Sequence, residues 1–261
     1  MESVLQFSPD QYFNFILVVL RIGGLFVTAP ILSSANVPRR LRLFMVLMVS
    51  WMLFAVLPNT PIAQNWNASY YLLMATRETM IGLLLGVVPR ATFAAVDFAG
   101  TVIGFQMGLS LANVMDPQSQ TQVSMISSFK GLLATLLFVI IDGHHTFFEV
   151  IALSYDKVAI GTFAFNPNIL EFLLRLGGDM IILGVKLGSP FIVALLFANL
   201  ILGFMARAMP QMNIFVVGMP LTILLGFLFL MTGMPYTTGA MHKAFSGLEV
   251  QVIEMLNLMA K

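Results

Sequence analysis

The chain has 261 residues, of which 59% are hydrophobic and 10% charged, and its mean hydropathy is +0.92. These values lie outside the range of soluble domains and indicate a membrane protein. The 13 basic and 12 acidic residues nearly cancel, so no basic surface for nucleic acid is indicated, and the lack of cysteine excludes disulfides and thiolate metal sites. No charged stretch is long enough to enclose a separate soluble core, and we expect one helical unit over 1–261.

Seven apolar segments are predicted along the chain. In order they are 13–32, 43–58, 70–88, 91–115, 131–153, 180–206 and 212–232. Several approach the roughly 20 residues that cross a bilayer. Proline removes a backbone donor and clashes with the preceding turn, so prolines predict helix ends. The predicted breaks lie at or beside Pro30, Pro38, Pro61, Pro89, Pro117 and Pro210. A polar connection over 154–172 and an amphipathic helix over 240–261 complete the prediction.

Basic residues predict the orientation of the first segments. Arg39, Arg40 and Arg42 lie between segments one and two, and Arg90 follows segment three. By the positive-inside rule these two connections face the cytoplasm and the N-terminus faces outward.

Ionisable residues occur within most apolar segments. They are Arg21, Arg77, Glu78, Asp97, Asp142, Asp179, Lys186 and Arg207. One such group at the bilayer centre costs roughly 2.5–3.5 kcal/mol, so these side chains are expected to face protein or water. Arg77 and Glu78 are adjacent, about 100° apart on a helix, and each is expected to find a partner elsewhere. Pairing between helices and a direct role in transport both remain open interpretations.

Small residues spaced four apart predict close helix packing. The series are Gly82 and Gly86; Gly100, Gly104, Gly108 and Ala112; and Gly184 and Gly188. Small side chains at this spacing let two helix backbones approach closely. We expect a tight packing contact, within this chain or between chains.

Catalytic motifs are scarce in the sequence. It contains no zinc-protease helix, serine-nucleophile elbow, phosphate-binding loop or dinucleotide fingerprint. Asp142, His144, His145 and Glu149 form a weak metal-site pattern, and a turn at a helix boundary is the favoured interpretation of Asp142-Gly143. We predict no catalytic residue, metal or cofactor.

Several motifs together resemble one family. Gly104-Phe-Gln-Met-Gly-Leu-Ser110, followed by Asp116-Pro117, is similar to the central signature of the FliR family of flagellar export-gate proteins, which includes counterparts in virulence type III secretion. Further similarities lie in 28–40, in Glu78 with Gly82 and Gly86, in Asp142-Gly-His144, and, most specifically, in 208–221. The resemblance covers roughly 28–221, and His145 is a departure from the pattern.

The resemblance implies an all-α fold of hydrophobic helical hairpins, with a FliP-like part over about 1–205 joined to a FliQ-like helix pair over about 206–261. It implies a non-enzymatic subunit of the export gate in the flagellar basal body of the bacterial inner membrane, lifted above the membrane plane when assembled. The expected partners are FliP-like and FliQ-like gate subunits, an FlhB-like switch protein and unfolded proteins in transit.

The resemblance also assigns roles to residues of this chain. A plug in the channel is implied for the segment from Met107 to about Gln122, where flexible and branched apolar groups suit a seal without substrate specificity. Its expected residues are Met107, Leu109, Leu111, Val114, Met115, Asp116, Pro117 and Gln118. Roles in assembly are expected for the buried charges and for Pro210, Phe215 and Pro220. Two alternative functions remain. One is an ion-coupled secondary transporter that uses its intramembrane charges, and the other is an intramembrane enzyme at Asp142, His144 and His145.

Overall fold

A computed structural model of the chain describes residues 9–34, 37–57, 68–109, 124–211 and 214–260. Every regular element in these ranges is an α-helix. The helices are α1 (Pro9–Thr28), α2 (Arg39–Val56), α3 (Ala68–Gln106), α4 (Met125–Ile140), α5 (Gly143–Lys157), α6 (Pro167–Ala208), α7 (Ile214–Ser246) and α8 (Leu248–Met259).

Four helical stretches in the described ranges are long and apolar enough to cross a membrane. They are Gln11–Thr28, Ala68–Gln106, Pro167–Ala208 and Val216–Met259, and α4 with α5 would add a fifth if counted as one broken span. The predicted all-α membrane class is therefore confirmed.

The predicted break at Pro89 is wrong, because α3 continues through this residue for 39 residues in all. A proline inside a helix removes one hydrogen bond, to the carbonyl of Leu85, and strains the preceding turn. Leu85 and Val88 before the proline are buried, as is Phe93 after it. Burial of the apolar side chains on both sides outweighs the local cost, and two predicted segments form one helix.

The predicted segment 131–153 is divided in the structure. Helix α4 ends at Ile140 and α5 begins at Gly143, with Asp142 between them at a φ of 57°. Aspartate tolerates this left-handed backbone better than most residues with a side chain, because its short carboxylate can form local hydrogen bonds. The Asp142-Gly143 turn thus lies at a helix boundary, as the sequence suggests.

Helix α6 begins 13 residues before the predicted start at residue 180. Asn166 caps it, since its side-chain oxygen accepts a hydrogen bond from Ile169 N at 3.0 Å, and Pro167 occupies the first helical position, where no N–H is needed. The amide nitrogen of Asn166 donates to the Leu258 carbonyl of α8 at 2.9 Å. The predicted polar connection therefore shrinks to residues 158–166.

Proline also interrupts the hydrogen bonds of α6 and α7. Pro190 lies within α6 and leaves the carbonyl of Lys186 without its usual N–H donor. This oxygen accepts hydrogen bonds from the Ser189 hydroxyl at 3.0 Å and from the Tyr236 hydroxyl of α7 at 3.4 Å. The carbonyl that Pro190 leaves without its N–H donor thus forms a contact between α6 and α7.

The described residues form two compact units. The first comprises those within Met1–Arg90, Gly143–Leu176 and Gly247–Lys261. In this unit α1 lies close against α3: Gly24 faces the Thr79 carbonyl, Gly82 faces the Arg21 carbonyl and Gly86 faces the Thr28 hydroxyl. Both contacting helices thus supply glycine to the contact.

The second unit comprises the described residues within Ala91–Asp142 and Gly177–Ser246. Phe93, Phe138 and Phe245 pack on one another with ring centroids 5.0–5.6 Å apart. Gly100 and Gly104 of α3 face Ser127 and Ser124 at the start of α4, within the same chain. The first two members of the second predicted glycine series therefore lie against a helix terminus.

We predict that Gly82→Ala destabilises the chain, because its new methyl group would overlap the Arg21 carbonyl oxygen. Overpacking of this kind costs about 1–3 kcal/mol. Thermal unfolding of the purified chain in detergent should show a lowered midpoint. Gly177→Ala in α6 is the matched control, since no atom lies within 4 Å of its added carbon and the midpoint should stay equal or rise. Equal midpoints for the two variants would contradict the packing argument.

Candidate functional site

Arg21 of α1 and Glu78 of α3 form a buried ion pair in the first unit. Arg21 Nε donates to Glu78 Oε2 at 2.6 Å, and the two side chains are 1% and 0% exposed. A buried charge without a partner is severely unfavourable, whereas a paired and hydrogen-bonded one is tolerated.

The other polar atoms of the pair also have partners. Arg21 Nη1 donates to the carbonyl and hydroxyl oxygens of Ser154 at 3.0 and 3.2 Å, and Nη2 donates to the Val158 carbonyl at 3.1 Å. Glu78 Oε1 accepts from Gly161 N at 2.8 Å, and the Tyr155 ring centroid lies 4.1 Å from the guanidinium carbon. The planar guanidinium thus joins α1, α3, α5 and the connection that follows α5.

Gly161 is a hydrogen-bonding partner of both adjacent charged residues, Arg77 and Glu78. Its N–H donates to Glu78, while its carbonyl accepts a hydrogen bond from Arg77 Nη1 at 2.8 Å. The glycine has a φ of 77°, and a side chain there would overlap Met74. Two neighbouring charges pointing about 100° apart therefore hold one peptide segment from both sides.

The remaining predicted charges are placed differently. Asp97 and Lys186 are exposed in this chain, and Arg77 is half-buried. Ser127 Oγ donates to the Asp97 carbonyl at 3.1 Å and to its carboxylate at 3.4 Å. Pro210 lies in the turn between α6 and α7, and Pro220 lies inside α7. Phe215 belongs to α7, but its side chain lies outside the described residues.

Lys130 is a buried charge that the sequence prediction missed. It lies on α4, is 3% exposed, and has its Nζ 4.9 Å from the centroid of the Phe191 ring. Its ammonium has no hydrogen-bond partner among the described residues. Lys130 lies four positions after the buried Ile126, on the same face of α4. This helical spacing is the sequence feature that indicates its burial.

Met107 anchors the end of α3 in the second unit. Its fully buried side chain packs in a cluster with Ile103, Ile126, Phe191, Leu195 and Leu230. Gly226 of α7 leaves room for it, since an added carbon there would lie 2.5 Å from Met107 Cγ. The Met107 carbonyl accepts a hydrogen bond from the Thr222 hydroxyl at 3.4 Å. The chain is therefore fixed by side chain and backbone immediately before residue 110.

Gly108 ends α3. The prediction that it continues the packing face of Gly100 and Gly104 is therefore wrong. Its φ is 82°, its N–H donates to the Phe105 carbonyl, and Leu109 N donates to the Gly104 carbonyl at 3.1 Å. These two bonds form a Schellman cap, which requires the left-handed backbone that glycine adopts readily. The predicted residues Leu111, Ala112, Val114, Met115, Asp116, Pro117 and Gln118 lie outside the described residues.

Comparison with known proteins places the chain in a family. The model of the family "Bacterial export proteins, family 1" matches residues 12–248. The chain therefore belongs to this family of bacterial export proteins.

Three relatives of this chain carry the same name. The chain is 33% identical to the flagellar biosynthetic protein FliR of Escherichia coli strain K12, over 98% of this chain and 97% of the relative. It is 32% identical to FliR of Bacillus subtilis strain 168, over 100% and 98%, and 30% identical to FliR of Aquifex aeolicus, over 91% and 92%. The predicted FliR family resemblance is confirmed.

We predict that Glu78→Gln strongly destabilises the chain, because it leaves the Arg21 charge buried and uncompensated. Breaking a buried pair on one side costs about 3–5 kcal/mol. Thermal unfolding in detergent measures the loss. Glu254→Gln is the matched control: Glu254 pairs with Arg175 on the surface, with 46% and 56% exposed side chains, and its loss should cost no more than ~1 kcal/mol. Comparable midpoints for Glu78→Gln and Glu254→Gln would overturn the structural role of the buried pair.

Proposed function

We propose that this chain is a subunit of the flagellar type III protein-export gate in the bacterial inner membrane. The observation that carries the proposal is its match to relatives named flagellar biosynthetic protein FliR over nearly the whole of both chains. We assign the chain a place in the passage for unfolded export substrates and no enzymatic step.

The uncovered apolar surface of α6 and α7 supports assembly with other chains. In an apolar stretch of 18 residues within Pro167–Ala208, only 28% is buried by the rest of the chain. In the corresponding stretch within Val216–Met259, only 22% is buried. Phe204 is 70% exposed and Met231 is 79% exposed. Large apolar faces are covered by lipid or by partner proteins. FliP-like and FliQ-like gate subunits and an FlhB-like switch protein are the proposed partners.

The anchor at Met107 and Gly108 supports a plug formed by the segment that follows it. A plug must be held firmly at its base while the rest of it moves or yields. Met107 is buried and hydrogen-bonded, and the Schellman cap at Gly108 fixes the direction in which the chain leaves α3. We propose that the segment from Met107 to about Gln122 closes the gate in its resting state, with the buried Met107 as its anchor and the methionine and branched side chains that follow as an adaptable seal.

An ion-coupled secondary transporter is the rival function. Such a protein needs an intramembrane ionisable group that can exchange its partner. Arg21 and Glu78 have protein partners for their charged atoms, which favours a structural role for this pair. The transporter hypothesis therefore needs another ionisable group of the apolar segments, such as Asp97, Asp142, Asp179 or Lys186.

We predict that the chain, expressed together with its genomic neighbours, purifies in one complex with two other hydrophobic proteins. The exposed apolar faces of α6 and α7 supply the physical reason, because detergent alone covers them less specifically than partner helices. Native mass spectrometry of the purified material measures the composition. The gate assignment would be refuted if the chain purified as a stable monomer, with no copurifying protein, from cells in which it restores motility.

We predict that deletion within residues 110–122 leaves this complex assembled but permeable to small ions. Met107→Ala should produce a smaller leak, because it empties the anchor pocket while keeping the segment. Ion flux into vesicles that contain the complex is the measurement. Met80→Ala, at an exposed position on α3, is the matched control and should leave the flux unchanged. Intact assembly with unchanged ion permeability after the deletion would reject the plug role.

A further inference from the structure

An apolar groove lies between α2 and α5 in the first unit. Its volume is about 480 Å³, and its lining consists of Met45, Met48, Val49, Met52, Leu53 and Phe148. The five lining residues of α2 follow the spacing of a single helix face. This volume is within the range of small-molecule sites, which runs from about 300 to 1,000 Å³.

The groove presents no polar group that needs a hydrogen-bonding ligand. Every lining side chain is a methionine, an aliphatic residue or phenylalanine. Ser50, the polar residue within this part of α2, is buried and donates to the Val46 carbonyl at 2.6 Å. A flexible hydrocarbon fits this lining, because methionine side chains adapt to variable apolar shapes.

Three arginines lie at the N-terminal end of the same helix. Arg39 and Arg40 are exposed, and Arg42 is half-buried. Arg42 Nη2 donates to the Ser34 carbonyl at 2.9 Å, while its buried Nε has no hydrogen-bond partner among the described residues. Helix α2 contains no acidic residue to neutralise the three charges. This end of α2 therefore offers guanidinium donors for an anionic group.

We propose that α2 and Phe148 bind an anionic phospholipid, with the headgroup phosphate at Arg39 and Arg42, which are three residues apart on one side of the helix, and one acyl chain in the groove. Arg42 precedes Met45 by three residues, so charge and groove follow one another along the helix. The distance from Arg42 to Leu53 along the helix axis is about 16 Å, close to the ~15 Å depth of one bilayer leaflet.

Arg90 lies within α3 and not in a connection, so the predicted orientation rests on the three arginines at the start of α2. The basic connection before α2 is expected to face the cytoplasm, and basic clusters on that side of a membrane attract anionic lipid headgroups. A partner helix would match the apolar groove but would need an acidic group at the correct end, whereas an anionic phospholipid carries both features in the required order. This inference requires only that the chain resides in a membrane, and goes beyond the proposed export role.

The test is native mass spectrometry of the full-length purified chain with lipids that share the same acyl chains. Phosphatidylglycerol should be retained about fivefold more strongly than phosphatidylcholine. Arg39→Gln should remove most of this preference without disturbing the fold, because Arg39 is exposed. Arg42→Gln should have at least the same effect, and Val49→Trp, which fills the groove, should weaken the retention of both lipids.

Matched controls separate this site from general detergent or lipid contact. Arg90→Gln removes an exposed arginine of α3, and Val193→Trp enlarges an exposed side chain of α6; neither should alter lipid retention. Glycerol phosphate, which has no acyl chain, should not bind. Equal loss of preference in Arg90→Gln, or glycerol phosphate binding as strong as that of phosphatidylglycerol, would overturn the proposal.

A photo-crosslinking residue at Met48 tests the occupant in cells. A lipid adduct on the full-length chain supports the proposal, whereas adducts with protein alone overturn it and make the groove a protein interface. Motility and complex composition are measured separately in the same cells. A failure of lipid binding is thereby distinguished from a failure of the export assignment.

Discussion

The buried Arg21–Glu78 pair is the constraint on which the first unit depends. Apolar packing draws helices together but distinguishes poorly between neighbouring arrangements, particularly where lipid is as apolar as the side chains. The ion pair selects one arrangement of the helices, because both charges have hydrogen-bonding partners only when α1, α3, α5 and the turn at Gly161 are all in place. The small residues Gly24, Gly82 and Gly86 then permit the close approach of α1 and α3 that the 2.6 Å contact requires.

The second unit achieves order by a different route. Its centre is the apolar cluster around Met107, and its helix contacts place glycines opposite short serine side chains, Met107 or phenylalanine rings. Lys130 is the exception, since its ammonium has an aromatic ring nearby but no hydrogen-bonding partner among the described residues. A fully bonded charge network thus holds one unit, and size complementarity holds the other.

The helical membrane class, the family and most helix positions can be predicted from the sequence, because hydropathy and local motifs depend on residues that are close in the chain. The sequence misleads at Pro89, where buried neighbours on both sides keep α3 intact, and at Gly108, where the four-residue spacing continues past the actual end of the helix. The need of Arg21 and Glu78 for partners followed from their charge alone. Their mutual pairing did not, because 57 residues separate them and only the fold brings α1 against α3. Lys130 was missed since a single lysine before an apolar run resembles an ordinary helix end.

Pro190 restricts how α6 and α7 slide past each other. The Lys186 oxygen that this proline leaves without its usual N–H donor accepts hydrogen bonds from the Ser189 hydroxyl of its own helix and from the Tyr236 hydroxyl of α7. A shift of α7 by one residue, about 1.5 Å, would break the second of these bonds. Apolar side chains resist such a shift only weakly. A residue known for disrupting helices therefore serves here to set the register between two of them.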